Sequence, residues 1–160
     1  MLLTRVLSAV VLAPLVLLAI WLGGPWFAGL VVLAAGLMGW EWARLCNGGA
    51  FAWPGGLVVA ALVAATAVFL LGHAAAAAAI LVAGAALAQV AGAARPRREQ
   101  PRRLHDVTLL VGVVYIGLAC LAFLWLRGVP ADGRDLVFWL LAVVWATDTG
   151  AYFAGRAIGG

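Results

Sequence analysis

Lysine is absent from this 160-residue chain, and charge of either sign is scarce. Only 10% of its residues are charged, whereas a soluble domain carries about 25%. With 67% hydrophobic residues, a chain this short cannot hide its apolar surface in one core. That excludes an ordinary soluble domain and points to an integral membrane protein. Cysteine is nearly absent too: Cys46 and Cys120 stand far apart, with no metal-ligand spacing around either, which excludes a disulfide framework and a zinc site. His73 and His105 are isolated in sequence. No Walker-type loop, no Gly-x-Gly-x-x-Gly after a strand and no nucleophile elbow occurs, so the common signatures of P-loop, dinucleotide and serine-hydrolase chemistry are missing. The net charge of +4 is concentrated in residues 95–103, where membrane orientation explains it better than nucleic acid does.

What the chain does have is long apolar runs separated by breakers. They predict an all-α, polytopic transmembrane bundle of about six spans, near residues 6–22, 26–40, 57–71, 74–94, 107–126 and 136–154. The second and third runs are short for a bilayer, which takes about 20 residues per helix. Strands are excluded because the runs lack period-two alternation. The N-terminal run is longer than a signal-peptide core and has no small-residue cleavage site after it, so it is expected to remain as a first span. The alanines at 74–79 suit close helix contact, although composition bias accounts for them equally well.

Arginine placement sets the expected orientation. With residues 95–103 on the cytoplasmic side, six spans put Arg5, Arg44 and Arg156 there as well, and leave only Arg127 and Arg134 outside. Both ends then face the cytoplasm. Trp21, Trp26, Trp125 and Trp139 fall near outer ends and Trp40, Trp42 and Trp53 near inner ends, as interfacial aromatics do. The basic loop also suits anionic lipid head groups.

Two acids stand out. Asp148 interrupts the last run, in WATDTGAYFAGR. On a helix it shares a stripe with Trp145, Tyr152 and Gly155, while Ala151, Gly155 and Gly159 make a small-residue stripe beside it. A carboxylate within a span costs about 2.5 to 3.5 kcal/mol on insertion scales, so it faces a bundle interior or a wet cavity. It is read either as a functional group open to soluble ligands or as a structural acid bonded to Tyr152, a threonine or another helix. Glu41, in GWEWARL, is read either as a partner of Asp148 in holding a divalent cation or as a helix-end anchor paired with Arg44. Arg156 either snorkels to the interface or meets a phosphate.

The stretch WATDTGAYFAGRAIGG resembles the Asp-Thr-x-Ala-Tyr-x-x-Gly-Arg segment of phosphatidate cytidylyltransferases, the bacterial CDP-diacylglycerol synthases. Asp148, Thr149, Ala151, Tyr152, Gly155 and Arg156 match it. The opening TRVLSAVVLAP and the stretch WEWARL resemble the same family's N-terminal part. The resemblance implies transfer of CMP from CTP to phosphatidate with release of pyrophosphate, assisted by Mg²⁺. It casts Asp148, Tyr152 and Arg156 as catalytic positions, with Asp148 as a metal ligand and Thr149 and Gly155 as cofactor-binding positions. Its implied partners are CTP, phosphatidate and membrane lipids, without nucleic acid and with a homodimer left open. Its implied place is the bacterial inner membrane. The family continues past the Gly-Arg-x-x-Gly stretch into a Ser-Pro-Lys-Lys-Thr-type segment and a signature rich in Lys and Asp. This sequence has neither, so it is expected to be the N-terminal part of a longer enzyme, inactive alone, with the main metal ligands elsewhere. The competing expectations are a small transporter using Asp148 as an ion site and a membrane protein without chemistry.

Overall fold

The computed structural model describes residues 2–94 and 105–159, with side chains from residues 10–94 and 109–159. The basic loop at 95–103 and the side chains of Arg5 and His105 lie outside the described residues.

Six helices follow one another: α1 (Leu2–Leu22), α2 (Gly24–Cys46), α3 (Trp53–Leu70), α4 (Ala74–Ala93), α5 (His105–Arg127) and α6 (Gly133–Ile158). No strand occurs among the described residues. Five helices, α2 to α6, are long and apolar enough to cross a membrane; the apolar part of α1 with described side chains, Val10–Leu22, is shorter. The protein is therefore an all-helical, polytopic membrane protein. This architecture follows from the bilayer itself, in which a helix satisfies every backbone N–H and C=O within its own segment.

Helix ends differ from the expected spans for local reasons. α2 runs on past Glu41 to Cys46 and reaches 23 residues, and α3 starts at Trp53 and reaches 18. Neither helix is as short as its apolar run. In α2, Ala43, Arg44 and Leu45 are strong helix formers, and Arg44 bonds Glu41 one turn back at 3.4 Å. In α3, Pro54 lies in the first turn, where its missing N–H has no helical partner to lose. Just past the end of α3, the Gly72 N–H bonds the Phe69 carbonyl at 2.9 Å, and the Gly72 φ of +87° turns the chain back so that the His73 N–H bonds the Val68 carbonyl at 3.2 Å. This left-handed glycine closes the helix and turns the chain into α4.

The chain divides into two compact units, residues 28–124 and residues 1–27 with 125–160. In the first unit α3 and α4 form an antiparallel hairpin. Val58, Leu62, Ala65, Leu81, Ala85 and Ala88 are buried in this unit. Glycine permits the closest approaches: a Cβ on Gly84 would run into the Ala61 methyl, and one on Gly112 of α5 into the Trp42 indole. Thr66, fully buried, donates its hydroxyl to the carbonyls of Leu62 and Val63 at 2.9 Å each, so its polar atom is satisfied inside α3.

In the second unit α1 packs against α6. Ile20, Gly23, Phe27, Gly133 and Val137 are its buried residues among those around the helix ends. Beyond Leu141 the whole of α6 to Gly159 is exposed.

Candidate active site

All six residues that carry the motif lie on the exposed half of α6. Asp148, Tyr152 and Arg156 follow at four-residue steps, so they climb one face of the helix turn by turn. Gly155 lies within the same face. Thr149 is a quarter turn away, at its edge.

The structure brings two of these side chains together. Arg156 Nη1 donates to the Tyr152 hydroxyl oxygen at 3.4 Å, the long end of such a bond. Tyr152 also meets the edge of Phe153, with ring centroids 5.5 Å apart. Once the Tyr152 oxygen has accepted from Arg156, what the pair still offers is donors: the phenol O–H and the remaining guanidinium N–H groups. An anion is the ligand such a pair fits, and a planar guanidinium suits phosphate oxygens in particular.

Asp148 makes no hydrogen bond or ion pair among the described residues, and the nearby Thr147 hydroxyl donates instead to the Val143 carbonyl at 2.8 Å. The structural alternative of an acid bonded to Tyr152 or a threonine is thus not what the described residues present. The ionised carboxylate is acceptor-only, so it calls for a cation or for donors from outside. Its surroundings leave room: Asp148 and its neighbours on α6 are all exposed. No group of three or more His, Cys, Asp or Glu side chains gathers among the described residues. Asp148 can therefore offer one carboxylate to a metal ion. That matches Mg²⁺ where phosphates and water fill the rest of its shell.

Glu41 is engaged locally. Arg44 bonds its carboxylate at 3.4 Å, stacks over the Trp40 ring at 4.7 Å and donates its Nε to the Gly49 carbonyl at 3.1 Å. The anchor reading of Glu41 describes this arrangement. The same residues fix the loop after α2, where Asn47 Nδ2 bonds the Ala50 carbonyl at 2.9 Å.

Sequence reasoning passed over a feature at the opposite end of α6. The Arg127 guanidinium lies over Gly23, where a Cβ would collide with it, and its Nε bonds the Ile20 carbonyl at 3.2 Å. Arg134 stacks on Trp21 at 4.5 Å and bonds Asp135 at 3.0 Å. The Gly23-Gly24 pair was the available signal, since glycine with positive φ at a helix end leaves space for a visiting side chain.

Fold and site together define the class: a polytopic helical membrane protein whose last helix presents an open face with an acid at one turn and phosphate-compatible donors at the next two. The chain belongs to the cytidylyltransferase family, whose model matches residues 3–160. It is 34% identical to the phosphatidate cytidylyltransferase of Brucella suis biovar 1 (strain 1330) over 159 residues, 98% of this chain and 55% of that protein. The same figures hold for the phosphatidate cytidylyltransferase of Brucella melitensis biotype 1. A shorter match, 33% over 51 residues, covers 32% of this chain and 19% of the Bacillus subtilis (strain 168) phosphatidate cytidylyltransferase. The chain thus spans about half the length of the Brucella relatives. No solved structure matches it.

Proposed function

We propose that this chain provides membrane helices and part of the active site of a phosphatidate cytidylyltransferase. The observation that carries the proposal is the division of the α6 face into an acceptor at Asp148 and donors at Tyr152 and Arg156. Relatives bearing that name match along nearly the whole chain, which supports it.

In this reaction a phosphate oxygen of phosphatidate forms a bond to the α-phosphorus of CTP. The bond from that phosphorus to the bridging oxygen breaks, and pyrophosphate leaves. Both reactants are anionic, so the site must offset charge and hold the two phosphates in register. Arg156 and the Tyr152 hydroxyl donate to phosphate oxygens. Gly155 keeps the helix surface between them clear, and the Thr149 hydroxyl reaches the nucleotide from the edge of the face. Asp148 is the described residue that would hold Mg²⁺, which when bound supplies charge neutralisation at the phosphates. The setting is a bacterial inner membrane with both chain ends cytoplasmic. There the nucleotide arrives from water and the lipid from the bilayer, and no nucleic acid takes part. A homodimer is compatible with this arrangement.

Membranes containing the complete enzyme to which this chain contributes, given CTP labelled in its α-phosphate, are expected to move label into chloroform-soluble lipid only when phosphatidate and Mg²⁺ are present. Label that stays in the aqueous phase with both supplied contradicts the proposal.

A further inference from the structure

We propose that Arg127 is a positioning residue for the α6 site, because it fixes the rotation of α6 about its own axis relative to α1. The inference rests on the function proposed above for the Asp148 face. Four observations, all within the unit that holds α1 and α6, lead to it.

First, Arg127 is tied to α1. Its Nε bonds the Ile20 carbonyl at 3.2 Å, one of the carbonyls that the end of α1 leaves without a helical partner. Second, its guanidinium occupies a made seat. Gly23 is buried, holds φ at +64° and carries no Cβ that would strike the guanidinium. Third, Arg127 is tied equally closely to the start of α6. Gly133 is buried, its N–H bonds the Val129 carbonyl at 3.1 Å, and a Cβ there would run into the Arg127 carbonyl group. The turn from Arg127 to Gly133 therefore has little freedom to swivel. Fourth, the buried residues of α6 are Gly133 and Val137, both in its first two turns, where Arg134 also lies over Trp21. Within this unit the phase of the helix is set at that end.

Asp148 lies fifteen residues beyond Gly133, about 22 Å along the axis at 1.5 Å per residue. A helix transmits rotation along its length. A turn of about 10° at the base swings a group 5–6 Å from the axis by roughly 1 Å. Misplacement of that size, caused far from the chemistry, costs about a hundredfold in rate. Arg127 acts through α6 and touches no substrate.

The test uses the protein in its own membranes, with two readouts. The first is CMP transfer, separated into kcat and KM. The second is independent of activity: with both native cysteines replaced by alanine, Gly150→Cys and Ala151→Cys are labelled with a membrane-impermeant maleimide, and the ratio of the two rates reports the phase of α6. Arg127→Gln and Gly23→Ala are each expected to change that ratio. Each is also expected to lower kcat about tenfold or more with KM for CTP little altered. Because both act on one seat, the double variant is expected to be no worse than the stronger single one. Arg127→Gln with the original labelling ratio and kcat would overturn the proposal, as would two effects that multiply. If Arg127→Gln does not accumulate, Arg127→Lys decides: it keeps the charge but not the planar fork, and wild-type values of both readouts in it overturn the proposal. A complete enzyme containing this chain that transfers no CMP in its wild-type form refutes the assigned function, while the labelling ratio still settles the role of Arg127.

Discussion

Asp148 and Glu41 are both acids set among apolar helix residues, and their surroundings separate them. Glu41 is paired with Arg44 one turn away, and Arg44 in turn lies over the Trp40 ring. Asp148 has no such neighbour among the described residues and stands on an open face. From the sequence either acid could be the functional one, because an i+3 arginine near Glu41 is visible but the direction of its side chain is not. The same limit applies to Arg127, which reads as a stray outer arginine until its seat over Gly23 is seen. With Arg134 stacked on Trp21, both arginines expected on the outer side are engaged by protein partners. At Tyr152 the phenol hydroxyl is one donor among several, so Tyr152→Phe should lower kcat/KM by about fivefold, what a single neutral hydrogen bond contributes. Arg156→Ala removes the charge and should cost more, about a hundredfold. Steady-state CMP transfer at equal protein amounts checks both, and equal losses in the two variants would contradict the unequal roles.

At the scale of the helices, apolar runs separated by breakers anticipated six helices, five of which are long and apolar enough to cross a membrane among the described residues, because a bilayer leaves the chain few alternatives. Their ends were harder to read. The second apolar run ends at residue 40, yet α2 continues through the Glu41–Arg44 pair to Cys46; the third begins at 57, yet α3 takes Pro54, Gly55 and Gly56 into its first turn. Gly55 is needed there as glycine because a Cβ would come within 2.7 Å of the Ala43 methyl. The contact between Gly84 and Ala61 makes a prediction at this scale. Gly84→Leu must push α3 and α4 apart, and overpacking of this kind costs about 1 to 3 kcal/mol. Thermal unfolding in detergent should show the loss, while Gly150→Ala, in open space on α6, should leave the midpoint unchanged. Unaltered stability in Gly84→Leu would contradict the close hairpin.

For the molecule as a whole, the membrane fold was legible from composition, and the family from a nine-residue motif that also supplied the candidate site. The pairing of Tyr152 with Arg156 and the isolation of Asp148 were not, since both depend on side-chain directions along α6. The arginine distribution makes a further prediction about the whole chain. Reporters fused before Met1 and after Gly160 should both read as cytoplasmic in a bacterial cell, and opposite sides for the two would rule out six crossings. The central claim is that the exposed face of α6 takes part in transferring CMP to a lipid phosphate. Its most direct test is the transfer of label from CTP into lipid by the complete enzyme that contains this chain, as wild type, as Asp148→Asn and as Asp132→Asn, with protein amount in the membrane measured alongside. The account predicts that Asp148→Asn loses about a hundredfold or more at an unchanged protein level. Asp132→Asn, at the far end of the same helix, should keep wild-type transfer. Full transfer by Asp148→Asn would contradict the account.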